Sequence, residues 1–264
     1  MSNTGPLDSC RVLVTREKGQ SDSLTSKIKE CGGIPVTVPL LGFTFPEYKE
    51  KLLEKAAETA DYDWLILTSH NGVEFFFRLL EEIDSPIQLP RIAVIGKKTG
   101  ETLEKHGFKA DFIPTEFVAE NFVKEFIPLL EDDTKVLLPK GNRARSVIAK
   151  AIKSAGAHCE ELILYETYFP KESGPVIVDL LKNRSLDVIT FTSSSTVDHF
   201  MEIVHTHQLQ PYLDSIIITV IGPIAEKTAL NYGLKVEVCP EQYTVSAMID
   251  SLAAYLIDRN NEEE

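Results

Sequence analysis

The chain alternates short apolar runs with stretches whose apolar positions recur at helical spacing. Arg11–Thr15 reads as a strand. Ser21–Cys31 reads as a helix with Leu24, Ile28 and Cys31 on one face, Gly32-Gly33 stops it, and Ile34–Pro39 is the next strand. The same order returns in a strand Lys135–Pro139, a helix Ser146–Ala155, a stop at Gly156 and a strand Glu160–Tyr165. These blocks are A and A′. Block B, about 61–130, reads as strand Trp64–Thr68, helix Asn71–Leu80, strand Arg91–Ile95 and helix Lys98–His106 closed by Gly107. Strand Phe108–Pro114 and helix Ala119–Leu130 complete it. Block B′ repeats the order as Val188–Thr192, Thr196–Val204, Ile216–Ile221, Ile224–Tyr232 closed by Gly233, Leu234–Pro240 and Thr244–Ile257. Strands alternating with helices imply the α/β class, with parallel sheets and right-handed crossovers in the flavodoxin-like or Rossmann-like manner.

The blocks are also similar residue by residue. Asp63-Trp64-Leu65-Ile66-Leu67-Thr68-Ser69 and Asp187-Val188-Ile189-Thr190-Phe191-Thr192-Ser193 lie 124 residues apart (187 − 63), as do Arg11-Val12-Leu13-Val14 and Lys135-Val136-Leu137-Leu138 (135 − 11). Val94-Ile95-Gly96 and Val220-Ile221-Gly222 lie 126 apart (220 − 94). An internal duplication predicts two similar lobes, with the interdomain cleft as the natural ligand site. Pro39–Pro46 and Ile163–Pro170 leave A and A′ at equivalent places. Both are apolar, aromatic and proline-punctuated, as suits a pair of linker strands. If both segments cross, one domain is 1–39 with 170–264 and the second, 45–163, is inserted in it, with linker strands at about 39–46 and 163–170. Lobes of A with B and A′ with B′ would need only one crossing, and periodicity does not choose between the two.

Composition narrows the function. A hydrophobic fraction of 43% and mean hydropathy of −0.06 are those of a globular protein in water, and no apolar run is long enough to span a bilayer. Met1–Ser9 is polar and lacks the basic and apolar regions of a signal peptide, so a cytoplasmic protein is expected, with no membrane partner. Cys10, Cys31, Cys159 and Cys239 form no C-x-x-C pair and read as buried free thiols. A net charge of −13 argues against nucleic acid as a partner, yet leaves room for an anionic small molecule in a locally basic cleft. The tail Asn260–Glu264 reads as disordered and solvated.

In parallel α/β sheets, ligands sit past the carboxyl ends of strands, at helix N-termini. The residues there are Thr15-Arg16, Ser69-His70-Asn71-Gly72, Gly96-Lys97-Lys98-Thr99, Lys140-Gly141-Asn142-Arg143, Ser193-Ser194-Ser195-Thr196 and Gly222-Pro223. Helix capping alone would account for any one of Ser69, Ser193 or Thr196. It accounts less well for a set rich in hydroxyls, glycine and cations throughout. Lys140-Gly141-Asn142-Arg143-x-Arg145 is the densest cationic loop; cations oppose the dipole at a helix start, which suggests an anionic ligand rather than a merely solvated turn. Tyr165 falls at the linker, where a phenol can either face a cleft or pack in a hinge. No P-loop, G-x-G-x-x-G fingerprint or G-x-S-x-G elbow is present. His205-x-His207 reads as a solvated loop, and no carboxylate pair or Ser/His/Asp arrangement announces itself.

Seven segments carry a resemblance. Val12-Leu13-Val14-Thr15-Arg16, Leu67-Thr68-Ser69-x-Asn71-Gly72-Val73, Val94-Ile95-Gly96-x-x-Thr99, Leu138-Pro139-Lys140-Gly141-Asn142-x-Ala144-Arg145, Gly156-Ala157-x-x-x-Glu161-x-x-x-Tyr165-Glu166-Thr167-Tyr168, Phe191-Thr192-Ser193-Ser194-Ser195-Thr196-Val197 and Val220-Ile221-Gly222-Pro223-Ile224-Ala225 resemble, in order and spacing, the uroporphyrinogen-III synthases. The resemblance runs from Arg11 to Leu256. It implies the crossed-over arrangement with an inserted lobe. It implies a lyase that closes hydroxymethylbilane, a linear tetrapyrrole with eight carboxylates, to uroporphyrinogen III, inverting ring D through a spiro intermediate and releasing water. No cofactor and no metal are implied, the default is a monomer, and the substrate could be handed over transiently by hydroxymethylbilane synthase.

The resemblance gives Tyr165 the role of the acid assisting loss of the hydroxyl. It places Ser69, Ser193, Ser195 and Gly222 against substrate. Thr15, Arg16, Asn71, Gly96, Lys140, Gly141, Arg143, Ser194 and Pro223 complete the expected substrate-binding set. Relatives often carry a Thr pair after the Gly-Pro; here Ile224 and Ala225 follow Pro223, so that loop loses its hydroxyls. Two other readings compete. A non-catalytic two-lobed binding protein for an anionic small molecule would bind without turnover. A response-regulator-like module would need an acidic cluster at a strand end, whereas Asp61, Asp63 and Asp187 precede strands.

Overall fold

The computed structural model describes residues 5–16, 21–84 and 86–263. The chain divides into two compact units, Met1–Gly42 with Tyr168–Glu264 as unit 1 and Phe43–Thr167 as unit 2. The sheet of unit 1 contains β1 (Arg11–Val14), β2 (Ile34–Thr37), β8 (Val188–Phe191) and β9 (Ile217–Val220) in the order β2-β1-β8-β9, all pairs parallel. The second sheet contains β3 (Gly42–Thr44), β4 (Trp64–Leu67), β5 (Arg91–Val94), β6 (Lys135–Gly141) and β7 (His158–Tyr168) in the order β3-β7-β6-β4-β5. The strands of block A thus share a sheet with those of B′, and the strands of A′ share one with those of B.

Near-continuous apolar runs form these strands because helices cover both faces. Side chains alternate accordingly. Leu13, Ile189 and Phe191 join one core layer of unit 1, while Val12, Val14 and Val188 join the other. In unit 2, Leu65 and Leu67 face one layer, and Trp64 and Ile66 the other. The helices present matching stripes. In α8 (Ser194–Thr206), Val197, Phe200, Met201 and Val204 follow the i, i+3, i+4, i+7 pattern into the first layer. In α3 (His70–Leu80), Val73, Phe76 and Phe77 do the same in unit 2.

The remaining helices are α1 (Asp22–Glu30), α2 (Lys49–Ala57), α4 (Lys97–Lys105), α5 (Ala119–Phe126), α6 (Val147–Ser154), α7 (Ser173–Lys182), α9 (Pro223–Asn231) and α10 (Val245–Glu263). Neither α2 nor α7 is predicted by the block pattern. Both lie between the linker segments and blocks B and B′; α2 buries Leu52 and Ala56, and α7 buries Ser173, Ile177 and Leu181.

The structure departs from several expectations. Phe108–Pro114 and Leu234–Pro240 do not form strands; each contributes a single bridge, Ala93↔Phe112 and Thr219↔Val238. The reason is a side chain in the ladder. Asp111 Oδ2 accepts the Ile92 N–H at 2.7 Å and Glu237 Oε2 accepts the Ile218 N–H at 2.9 Å, taking donors that a further strand would have used. The tail is not irregular, since α10 runs through Glu263. His205 lies in the last turn of α8 rather than in a loop, its ring 5.9 Å from that of Tyr232. Of the four free thiols only Cys159 is buried, and burial pushes it up to about 11.

The aspartates before β4 and β8 have a structural task. Asp187 Oδ2 accepts the Arg11 N–H at 2.7 Å, at the start of β1, and Asp63 Oδ2 accepts the Lys135 N–H at 2.8 Å, at the start of β6. Each carboxylate satisfies an otherwise open donor where neighbouring strands begin. Replacing either one, as Asp187→Ala or Asp63→Ala, is expected to lower stability by about 1 kcal/mol, and Asn at either position by less. Urea unfolding of the four variants measures this.

Candidate functional site

In unit 2 the carboxyl ends of β4, β6 and β7 bring Ser69, Gly141 and Tyr165 together. Ser69 is the N-cap of α3; its Oγ accepts the Gly72 N–H at 2.9 Å and lies 3.1 Å from the Tyr165 hydroxyl. Tyr165 is 9% exposed, edge-on to Phe43 with ring centroids 5.6 Å apart and tilted against Phe75 at 5.3 Å. The β6–β7 register shifts between Lys140 and Gly141, which pairs Gly141 with Tyr165. A Cβ on Gly141 would stand 2.6, 2.7 and 2.9 Å from Cε2, Cζ and Oη of that ring, so only glycine fits beneath it. The Asn142 N–H donates to the Tyr165 carbonyl at 3.0 Å, and the Thr167 N–H donates to Asn142 Oδ1 at 3.1 Å.

Lys140 is not in a solvated loop. The strand continues through it, it is 6% exposed, and its Nζ donates to Glu161 Oε2 and, at 3.0 Å, to Ser146 Oγ. Lys140 therefore serves this internal pair before any ligand. The Lys140 hydrogen bond, with its charge, holds the Glu161 carboxyl below its ordinary range against the opposing effect of burial. Sequence reasoning missed Glu161, although an acid beside the apolar run Leu162-Ile163-Leu164 is itself a signal of a paired charge. Gly96 is buried at the start of α4 in extended conformation, beneath the Cβ of Phe117. Asn71 is half-buried in the first turn of α3, and Arg143 is exposed; both have interactions.

In unit 1, Thr15 is fully buried and belongs to the sheet: its hydroxyl donates to the Thr190 carbonyl at 3.0 Å, and Thr190 donates to the Leu13 carbonyl at 2.7 Å. Arg16 next to it is half-buried. Burial draws its guanidinium below the ordinary value, and no described carboxylate pairs with it. Ser193 caps α8, its Oγ accepting the Thr196 N–H at 3.3 Å, and Ser194 and Ser195 follow half-buried in the first turn. Gly222 caps α9 and Pro223 opens it. A pocket of about 350 Å³ at the ends of β8 and β9 joins Ser193, Ser194, Gly222 and Pro223 to Ile224 and Tyr243. A larger cavity of about 630 Å³ lies by the amino ends of β6 and β7, away from every helix N-terminus considered above. Among the described residues no group of three or more His, Cys, Asp or Glu side chains is placed to hold a metal ion, and no helix is long and apolar enough to cross a membrane.

The strand ends of both parallel sheets carry cap hydroxyls and close-approach glycines, with a half-buried guanidinium in unit 1 and a buried phenol in unit 2. The uroporphyrinogen-III synthase HemD family model matches residues 22–250, and the chain belongs to that family. A uroporphyrinogen-III synthase of Synechococcus elongatus is 33% identical over 92% of this chain and 94% of its own. A mutant uroporphyrinogen III synthase from the extreme thermophile Thermus thermophilus shares the fold at a TM-score of 0.60, with 14% identity over 95% of this chain and 100% of that one. So does a uroporphyrinogen-III synthetase from Helicobacter pylori, at a TM-score of 0.59, with 17% identity over 94% and 99%.

Both close contacts of unit 2 can be tested by substitution. Gly141→Ala should force the wedged Tyr165 ring aside and cost about 1–3 kcal/mol in thermal or urea unfolding, as overpacking does. Glu161→Gln leaves the buried Lys140 ammonium without its counter-charge and should cost about 3 kcal/mol at neutral pH. Because the folded carboxyl is held low, its stabilisation is complete above about pH 5 and lost as pH falls through the depressed value. The gap between the wild type and Glu161→Gln should therefore close on acidification.

Proposed function

We propose that the protein is a lyase acting as a uroporphyrinogen-III synthase, and that Tyr165 is its acid. The observation that carries this reading is the Tyr165–Ser69 contact of 3.1 Å at the strand ends. With Ser69 donating, the phenol keeps its own proton for a ligand, and the donated bond stabilises the phenolate that forms. A phenol is a weak acid, which suffices because the pyrrole nitrogen of hydroxymethylbilane expels its own hydroxyl.

Tyr165 gives a proton to the hydroxymethyl oxygen, the C–O bond breaks, and water, an azafulvenium cation and the Tyr165 phenolate result. The substituted α-carbon of ring D attacks the exocyclic methylene, forming the C–C bond of a spiro intermediate. The older bond from that carbon then breaks and re-forms at the other α-carbon of ring D, which inverts the ring. Loss of a proton, taken back by the phenolate or by solvent, restores the aromatic pyrrole. The protein's main contribution is to hold the chain so that this attack is the reachable one. The hydroxyl and backbone N–H groups at the start of α3, in the same unit as Tyr165, hold carboxylates, which requires no dominant basic face.

The test is a coupled assay in which hydroxymethylbilane is generated in situ and the oxidised porphyrin isomers are separated. Isomer III is the expected product; isomer I alone, the spontaneous product, refutes the reading, and binding without turnover points to a carrier of anionic molecules. Tyr165→Phe should lower kcat by about 100-fold. Ser69→Ala should lower it less, with about 1 kcal/mol of lost helix capping.

A further inference from the structure

Side chains on a strand alternate between its two faces, and Tyr165 breaks that rule. On β7, Leu162 and Leu164 enter the core layer that α3 covers, while Cys159 enters the layer that α6 covers. Strict alternation would turn Tyr165 toward α6. Tyr165 instead joins the layer of Leu162 and Leu164. The cause is a bulge. Lys140 pairs with Ile163 and Gly141 with Tyr165, so Leu164 has no partner on β6 and two consecutive residues of β7 share one face. Without that extra residue the phenol would lie on the other side of the sheet from Ser69, whose Oγ is 3.1 Å from it. Bulges between parallel strands are rare, and bulges in general gather next to active sites, where they re-aim a side chain. Pro139, which cannot donate to a ladder, stands two residues before Gly141.

The bulge is held on both sides. Before it, Lys140 Nζ donates to Glu161 Oε2, and Ser146 Oγ donates to the same oxygen at 3.2 Å. After it, Asn142 bonds β7 twice. Its N–H donates to the Tyr165 carbonyl at 3.0 Å, and its Oδ1 accepts the Thr167 N–H at 3.1 Å. The first bond needs only backbone, whereas the second needs an acceptor at the end of a side chain of this length. Asn142 is exposed and fills no part of the core, so its replacement leaves the packing of unit 2 intact. We infer that Asn142 is a positioning residue for Tyr165: its side-chain amide latches β7 just past the bulge and so keeps the phenol aimed at Ser69. Asn142 does not touch the reacting atoms in this assignment. The inference rests on the reading of Tyr165 as the acid for its effect on rate, while the latch can be measured apart from turnover.

The experiment compares Asn142→Ala, which removes the acceptor, with Asn142→Asp, which keeps one, in the full-length protein. Amide hydrogen exchange at Thr167 should quicken about tenfold in Asn142→Ala and stay within about twofold of the wild type in Asn142→Asp. The α-proton resonances of Gly141, which lie against the Tyr165 ring, should move in Asn142→Ala and hold in Asn142→Asp. In the coupled assay Asn142→Ala should lower kcat about tenfold, the worth of one hydrogen bond, with KM within about twofold, and Asn142→Asp should keep kcat. In a Tyr165→Phe background Asn142→Ala should lower kcat no further, because the latch acts only through the phenol. An equal loss of kcat in both backgrounds, or unchanged Thr167 exchange and Gly141 resonances in Asn142→Ala, overturns the inference. A wild type that makes no isomer III, with the exchange and resonance changes present, overturns the synthase reading and leaves the latch standing.

Discussion

Unit 1 depends on one pairing, that of β1 with β8. Val12, Leu13 and Val14 lie in register with Val188, Ile189 and Thr190. The Asp187 carboxylate holds the Arg11 N–H across 176 residues of sequence, and the Arg11 side chain donates to the Ser185 carbonyl at 2.7 Å. All of unit 2 lies in sequence between these strands. Both core layers of unit 1 draw on both strands, so neither layer can close before the pair does. The pairing also brings the end of β1, with Arg16, and the end of β8, with the serine-rich start of α8, to the same edge of one sheet.

The α/β character and the positions of the strands β1, β4, β6 and β8 were legible because their causes are local. A run such as Leu65-Ile66-Leu67 buried on both faces looks the same wherever it sits, and Gly107 and Gly233 close their helices at positive φ as their sequence positions suggest. Which strands are neighbours was not legible from periodicity, because register between distant segments leaves no local trace. The extra strands after α4 and α9 were misread for a related reason. Phe108–Pro114 and Leu234–Pro240 have strand composition, but Asp111 and Glu237 give their carboxylates to the ladder and the pairing stops at one residue. Helices α2 and α7 were missed because they lie between the linker segments and blocks B and B′, outside the repeated pattern that marked the other helices.

The strand-end rule collects residues whose surroundings in the structure differ. It gathered Ser69 and Gly141, which the structure joins to Tyr165, the residue expected at the linker, and it also gathered Thr15 and Lys140, whose polar atoms bond within the fold. A hydroxyl or ammonium in a set of strand-end residues carries no mark of whether its partner is a ligand or a neighbour; only burial and partner distance tell. The sequence reading does not single out Tyr243, which packs on Gly222. It precedes the last helix instead of following a strand, and only the three-dimensional path of the chain lays it on Gly222.

The interrupted layout of unit 1 has a consequence during synthesis. A ribosome releases β1, α1 and β2 first, with the edge of β1 that pairs with β8 still open. Residues 43–167 follow and hold every strand from β4 to β7, so this middle unit can assemble while its host is still unfinished. Only when β8 and β9 emerge does the waiting edge of β1 find its partner. The earliest part of the chain is therefore among the last to gain its native contacts, and during that interval it is the part most in need of a chaperone.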